Sequence, residues 1–233
     1  MPSFSNKKSS NGGNKARPSN FVVFSVATYG TEDHKSGVRA LAALLDYEGK
    51  AMCDAAIYGG EDAADNLRAR DGDQFNVAGK LGMVTLDGDD GSPIECPSVF
   101  ATDVQDMKKS KNKGGLQVSD LAILTVRVTK NGGGTAPEGN APAKARASLF
   151  LSKGKEQNRY MWLDIVAFPR EGNEDVVTAV AGMEAGKSYT VKGSFRVNKY
   201  NDRYQFAVHP NSVEEFAWPE RDDDIPEDDD IPM

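Results

Sequence analysis

The stretch LAILTVRV (121–128) decides how the chain is organised, because FVVFSVAT (21–28) has the same pattern 100 positions earlier. Both are apolar runs rich in β-forming residues, which predicts a strand in each place. The earlier run is followed by VRALAALLDYEGKAMCDAAIYGG (38–60), and the later one by ARASLFLSKGKEQNRYMWLDIVAF (145–168). Each of these segments reads as a strand, a Gly-Lys turn and another strand, so three strands are predicted in each half of the chain.

A short helix and two further strands repeat in the same order. Acidic residues in the first turn and a glycine behind it predict helices in GEDAADNLRARDG (60–72) and NEDVVTAVAGMEAG (173–186). The strands predicted after them are FNVAGKLGMV (75–84) and YTVKGSFRV (189–197), then SVFATDVQD (98–106) and AVHPNSVEE (207–215). Elements repeated in one order indicate a duplication within the chain.

The repeated order is that of an OB-fold, a five-stranded Greek-key barrel with a helix between its third and fourth strands. Other five-stranded architectures share this order, but the mid-strand glycines Gly79 and Gly193 suit a barrel whose strands bend sharply. We therefore predict an all-β fold with two tandem OB-folds. The predicted parts are a disordered basic arm (1–20), an acidic OB-like domain 1 (21–106), a basic linker (107–119), an OB-fold domain 2 (120–216) and a disordered acidic tail (217–233).

Charge is distributed very unevenly along the 233 residues, whose net charge is −7. Residues 220–233 alone carry a net charge of −7, so residues 1–219 have a net charge of zero. Within that rest, residues 21–106 carry −10, whereas the linker 107–119 carries +4. A negative average therefore does not exclude a partner that is itself an anion, because the cations are concentrated in particular segments.

Several function classes find no support in the sequence. No apolar run reaches the roughly 18 residues that a membrane helix needs, and the first residues lack the apolar block of a secretory signal. Cys53 and Cys96 lack metal-type spacing and are predicted to be reduced core thiols in a cytoplasm. His34 and His209 form no ligand cluster and leave no base for a nucleophile. We predict no enzyme activity, no metal and no cofactor.

The segment RYMWLDIVAF (159–168) predicts a strand with an unusual outer face. Period-two alternation turns Met161 and its alternate neighbours inward, and turns Trp162 and Phe168 outward. In YTVKGSFRVNKY (189–200), the same rule turns lysine, arginine and tyrosine outward. Aromatic rings among cations suit unpaired bases and their phosphates. The same rings could instead cover a second subunit or the neighbouring barrel, and that alternative stays open.

These motifs resemble the bacterial single-stranded DNA-binding protein family. In that family a strand carries Trp and, six residues later, Phe, as Trp162 and Phe168 do here. A later strand of the form V-x-G-x-hydrophobic-R ends in an aromatic, here Tyr200, and an Arg-Tyr pair opens the last strand. The chain also ends in DDDIPEDDDIPM (222–233), which contains two copies of the family's acidic DDDIP tail motif. The resemblance covers residues 121–216 and the tail.

The resemblance implies an OB-fold that coats and protects single-stranded DNA in replication, recombination or repair. The residues expected to stack on bases are Trp162, Phe168, Tyr200, Tyr160 and Tyr204. The residues expected to hold phosphates are Lys153, Lys155, Arg159, Lys192, Arg196, Lys199 and Arg203. The tail residues expected to dock on replication and repair proteins are Asp228, Asp229, Asp230, Ile231, Pro232 and Met233.

The sequence departs from the family at three places. The hairpin NKYNDRY (198–204) is shorter than usual, Lys153 sits roughly where a further tryptophan belongs, and the tail ends in Met233 instead of phenylalanine. The first repeat fits less well still. Aligned by the repeat, Trp162 becomes Met52, Phe168 becomes Tyr58 and Tyr200 becomes about Leu86.

We therefore predict that the first repeat has lost most of its stacking row and packs, self-associates or binds proteins. A subsidiary strand contact through Tyr47, Tyr58 and Lys80 is the alternative. For the whole chain, an OB-fold interaction adaptor and an RNA-binding protein are the competing hypotheses. The expected location is the cytoplasm of a bacterium or of a phage-infected cell, and both a homodimer and a monomer fit two barrels per chain.

Overall fold

The computed structural model describes residues 17–35, 37–88, 91–108, 117–139, 141–154, 157–200 and 203–218. Most of the predicted arm, linker and tail, together with Lys155, lies outside these residues. The described elements are β1 (Asn20–His34), β2 (Gly37–Leu45), β3 (Ala51–Gly59), α1 (Glu61–Arg68), β4 (Gln74–Asp87), β5 (Pro93–Asp106), β6 (Asp120–Val128), β7 (Ala143–Ser152), β8 (Arg159–Ala167), α2 (Glu174–Ala181), β9 (Ser188–Tyr200) and β10 (Arg203–Glu215). The predicted all-β class, the strand order and both helices are confirmed.

Strand pairing closes each half of the chain into a ring of five strands. In the first half (residues 20–106) the ring runs β2-β3-β5-β4-β1 and back to β2. In the second half (residues 120–215) it runs β6-β7-β8-β10-β9 and back to β6. The β3–β5 and β8–β10 pairs are parallel, as in a Greek-key barrel of the OB type. Because β1 also pairs with β6, all ten strands belong to one sheet, and the division into two domains stays a prediction.

The β1–β6 ladder is symmetric about its central pair, Val22 opposite Ala122. Ser25 and Thr125, which the repeat aligns, make the same contacts from the two sides. The N–H groups of Ser25 and Thr125 donate to the carbonyls of Ser119 and Ser19 at 2.7 and 2.6 Å, and their hydroxyls accept from the N–H groups of Ser119 and Ser19 at 2.7 and 2.8 Å. This reciprocity, typical of a twofold interface, supports a duplication.

The predicted inner rows form the core. Met161, Leu163, Ile165 and Ala167 are all buried, which confirms the alternation predicted for β8. The buried cluster runs without a break from one half to the other. Across the junction the rings of Phe24 and Phe195 lie 5.2 Å apart. The halves therefore share apolar packing as well as a strand ladder.

The mid-strand glycines are required by a close approach of two backbones. A Cβ on Gly79 would overlap the carbonyl oxygen of Phe100, and one on Gly193 would overlap that of His209. Both glycines lie where the pairing register shifts nearby, at Ala78/Gly79 and at Pro210/Ser212. The repeat thus reproduces a backbone contact that only glycine permits.

Strand pairing corrects the predicted alignment of β3 with β8. The two glycine contacts make Phe100 equivalent to His209, so Ser98 is equivalent to Ala207. Ser98 pairs with Ala56, and Ala207 pairs with Asp164. Trp162 is therefore equivalent to Asp54 instead of Met52, and Phe168 to Gly60 instead of Tyr58. The sequence alignment was wrong by two residues because a shift of two keeps every side chain on its own face and leaves the hydrophobic pattern unchanged.

We expect Gly193→Ala to lower the free energy of unfolding by about 1–3 kcal/mol, because the new methyl group must push β10 away from β9. Gly30→Ala is the matched control, since Gly30 also lies in a strand but nothing stands within 4 Å of its added Cβ. Its effect should stay within about 0.5 kcal/mol. Urea unfolding of both variants measures this, and equal effects would refute the close-contact explanation.

Candidate nucleic-acid interface

The outer surface of β7 and β8 carries three neighbouring exposed rings. Phe150 lies opposite Tyr160, and Ser148 lies opposite Trp162. Trp162 is 49% exposed and Phe150 46%. The rings of Phe150 and Tyr160 meet edge to face with centroids 5.7 Å apart. Three aromatic side chains on neighbouring positions form a surface on which flat, apolar ligands can stack.

This surface continues across β10 to β9. Tyr200 ends β9 opposite Arg203 and is 63% exposed. Two strand spacings separate β8 from β9, about 10 Å, so Tyr200 lies on the far side of the same face. Phe168 follows the end of β8, where its ring contacts that of His209 at 5.4 Å. Four of the five predicted stacking residues, Tyr160, Trp162, Phe168 and Tyr200, thus occupy both the middle and the margins of one outer face.

Exposed cations accompany the rings. Lys144 and Arg146 lie on β7 opposite Val166 and Asp164. Of the predicted phosphate-binding residues, those that are described and exposed are Lys153, Arg159, Lys192, Lys199 and Arg203. Cations on several strands around the aromatic surface can follow a polyanionic backbone.

Arg196 has a different position from the other predicted cations. It is partly buried and forms an ion pair with Asp120. Its guanidinium carbon also lies 5.6 Å from the centre of the Tyr47 ring, a cation–π distance. Tyr47 belongs to the turn between β2 and β3, so Arg196 links the two halves. A phosphate bound here would compete with both of these contacts.

Tyr204 also contacts the other half of the chain. It is half-buried and packs against the shared core. Burial raises the pKa of Tyr204, and the negative charge of Asp54 raises it further. Asp54 accepts a hydrogen bond from the Tyr29 hydroxyl at 3.0 Å. Tyr204 therefore lies at the junction of the halves, close to Asp54, the residue equivalent to Trp162, and it is not part of the exposed row.

Sequence reasoning missed three residues of this face: Phe150, Lys144 and Arg146. The signal was present in AKARASLFLS (143–152), whose alternate residues are apolar and buried. The same period-two rule that was applied to β8 would have turned these three outward on β7. Lys155 and the predicted tail residues from Asp228 to Met233 lie outside the described residues.

The described residues show no metal site, no disulfide and no membrane-spanning helix. In the described part of the chain, no group of three or more His, Cys, Asp or Glu could hold a metal ion. Cys53 and Cys96 are buried and form no disulfide. No described helix has the length and apolar character needed to cross a membrane.

Solved structures of a single-stranded DNA-binding protein share this fold. The wild-type protein from Thermus aquaticus is 17% identical, with a TM-score of 0.52, over 88% of this chain and 97% of that chain. A deletion mutant of the same protein is 16% identical, with a TM-score of 0.52, over 89% of this chain and 98% of that chain. No family model and no curated protein matches the chain. At this level of identity the likeness shows the fold alone.

We expect His209 to make the protein less stable in mild acid. Burial lowers the pKa of His209, and the positive charge of Arg196 lowers it further. A histidine whose pKa is depressed in the folded state favours its neutral form there. Its contribution to stability is therefore fully present above the unfolded pKa of about 6.5 and is lost as the pH falls through the folded pKa. Urea unfolding between about pH 7 and 5 should therefore show a loss that His209→Gln reduces. An unchanged pH profile in the variant would contradict this.

Proposed function

We propose that this chain binds single-stranded DNA without strong sequence preference and coats it during replication, recombination or repair. The observation that carries the proposal is the exposed row Phe150, Tyr160 and Trp162 on the outer face of a closed five-stranded barrel. Such rings stack on any base, because every base has a π face. Lys144, Arg146 and Arg159 stand beside the row to meet the phosphates.

In this proposal the single-stranded DNA lies across β7 and β8 and continues toward Tyr200 on β9. Bases stack on the rings while the sugar-phosphate backbone follows the cations. Each phosphate contact releases condensed counterions, so the affinity falls steeply as the salt concentration rises. RNA also offers unpaired bases that can stack, with uracil in place of thymine, and a parallel titration with oligo-U decides between the two nucleic acids.

The acidic tail is the proposed docking peptide for replication and repair proteins. Its aspartates steer it toward a basic rim, and Ile231, Pro232 and Met233 supply apolar groups for a pocket. Two copies of the motif raise its local concentration. Residues just before the tail are held on the barrel: the Phe216 N–H donates to the carbonyl of Ser188, and the Trp218 indole N–H donates to the Ser188 hydroxyl at 2.9 Å. Trp218, the second residue of the predicted tail, therefore contacts the barrel.

The setting we propose is the cytoplasm of a bacterium or of a phage-infected cell. A homodimer would bring four five-stranded rings together. Sedimentation of the full chain with and without a long strand distinguishes this state from a monomer.

We expect Trp162 fluorescence to be quenched by DNA. Trp162 and Trp218 are the two tryptophans of the chain, so Trp218→Phe leaves Trp162 as the sole reporter. Titration with oligo-dT should quench its emission, at about 4–16 nucleotides per active barrel. Trp162→Phe is the control, since Trp218 alone should report little change. No quenching and no binding at low salt would refute strand binding and favour an interaction adaptor.

Deletion of residues 220–233 should preserve or tighten DNA binding, because it removes a segment of charge −7 that repels phosphates. The same deletion should abolish co-purification of replication proteins from a bacterial lysate. Replacing Ile and Pro of both copies by Ala (Ile225, Pro226, Ile231 and Pro232) is the matched control, because it keeps every tail charge and should abolish only the protein contacts. Loss of DNA binding on deletion would show that the tail has another role.

A further inference from the structure

The first half carries its own row of aromatic and basic side chains. This row does not lie at the position equivalent to Trp162. On its outer surface Arg39 pairs with Tyr58, Tyr58 pairs with Phe100, and Phe100 pairs with Lys80. The row therefore crosses β2, β3, β5 and β4 in the order cation, ring, ring, cation. The Tyr58 and Phe100 rings stack, with centroids 5.3 Å apart and planes inclined by 19°.

Small residues beside the row hold the Phe100 ring along the sheet surface. A Cβ on Gly82 would lie 2.8 Å from Cε2 of Phe100 and 2.8 Å from the Ser98 hydroxyl. Ser98 is fully buried, and its hydroxyl has no hydrogen-bond partner among the described residues. Phe100 nevertheless remains 51% exposed. The ring is thus fixed from below and open from above, so a ligand would find it already oriented.

A cavity of about 630 Å³ adjoins these rings and is lined by His34, Tyr58, Met83, Phe100 and Arg159, among others. Its volume lies within the range of small-molecule sites, which is ample for a nucleobase. Arg159 belongs to the second half, where it begins β8 next to Tyr160. Its guanidinium approaches the Met83 carbonyl at 3.4 Å. The cavity is therefore adjacent to the face that carries Trp162.

The second half has a cavity at the equivalent position. It is smaller, about 130 Å³, and is lined by Val166, Phe168 and His209. Strand pairing makes Tyr58 equivalent to Val166 and Phe100 equivalent to His209. In the second half the exposed ring at this cavity comes from Phe168, whose equivalent is Gly60. In the first half it comes from Phe100. Comparing equivalent positions alone therefore conceals the rings of the first half.

Local charge at the row is positive although residues 21–106 carry −10. Arg39 is paired with Glu32 at 2.5 Å. Lys80 and Arg159 are exposed, and neither forms an ion pair within the described part of the chain. They stand on two sides of the rings, where flanking phosphates would lie if a base stacked between them.

We propose that Tyr58 and Phe100 form a second stacking platform, which takes an unpaired base from the same strand that lies on the Phe150–Tyr160–Trp162 face. Lys80 and Arg159 contact the phosphates on either side of that base. The proposal rests on the function proposed above and extends the strand path from the second half onto the first. The first half thereby takes part in strand binding through Tyr58 and Phe100, whose equivalents in the second half are Val166 and His209.

The test compares Phe100→Leu, which removes the ring but keeps apolar bulk, with Phe100→Tyr, which keeps the ring. Affinity is measured in the full chain for oligo-dT of about 8 and about 30 nucleotides, which bracket one barrel's site. Phe100→Leu should lower the affinity for the long oligonucleotide on the order of ten- to a hundredfold, the usual loss for one stacked base. It should leave the short strand unchanged, because that strand fits on the three rings of the second half. Phe100→Tyr should bind both strands like the wild type.

Trp162→Leu distinguishes the second platform from the proposed DNA binding on which it rests. It should lower the affinity for both the short and the long oligonucleotide. If Trp162→Leu changes neither affinity, the proposed function fails. If Phe100→Leu binds the long strand like the wild type, or weakens short and long strands equally, the platform is refuted while the function stands. Photo-crosslinking of a 30-mer that carries 5-iodouracil gives a second measurement. Crosslinks on Tyr58 or Phe100 support the platform, and crosslinks confined to the second half overturn it.

Discussion

The antiparallel ladder between β1 and β6 determines how every other surface of the molecule is arranged. Each of these strands closes its own ring and also pairs with the other, so ten strands form one sheet. The backbone bonds of Ser25 and Thr125 extend the ladder symmetrically at both ends. Since a ladder fixes register, it also fixes which outer faces point the same way. A nucleic acid that contacts both halves must follow the relative positions of their outer faces, which this ladder fixes.

The same scaffold carries different chemistry in its two halves because outward residues change at little cost to the core. The inner rows and the glycine contacts are equivalent in both halves, since packing and backbone approach constrain them. The outer rows are not. Trp162 is replaced by Asp54, which accepts a hydrogen bond from Tyr29 beside Tyr204. The first half thus uses the equivalent position near the junction between halves. Its ring on β3 lies four residues further along, at the partly buried Tyr58, which stacks on the exposed Phe100 of β5.

Much of the fold was predictable because its causes are local. Alternation predicts the buried row of β8, and acids followed by glycine predict both helices. What failed depends on residues far apart in sequence. The two-residue error between β3 and β8 was invisible because both registers bury the same faces. The contact of Arg196 with Tyr47 requires knowing that the halves touch, and its ion pair with Asp120 requires knowing that β6 pairs with β9. For the site, the exposed Trp162 was predictable from its own strand, whereas the Tyr58–Phe100 stack joins two strands that pair only in the folded barrel.

Charge then limits where a polyanion can run on this molecule. A body with −10 in residues 21–106 repels phosphates at long range, and salt screens that repulsion beyond about 8–10 Å. Within that distance the nearest side chains decide the interaction. Lys144, Arg146 and Arg159 stand beside the rings of the second half, and Lys80 stands beside those of the first. Arg159 lines the cavity next to Phe100 while it adjoins Tyr160. The proposed path of the nucleic acid therefore follows these cations from the rings of the second half to the rings of the first.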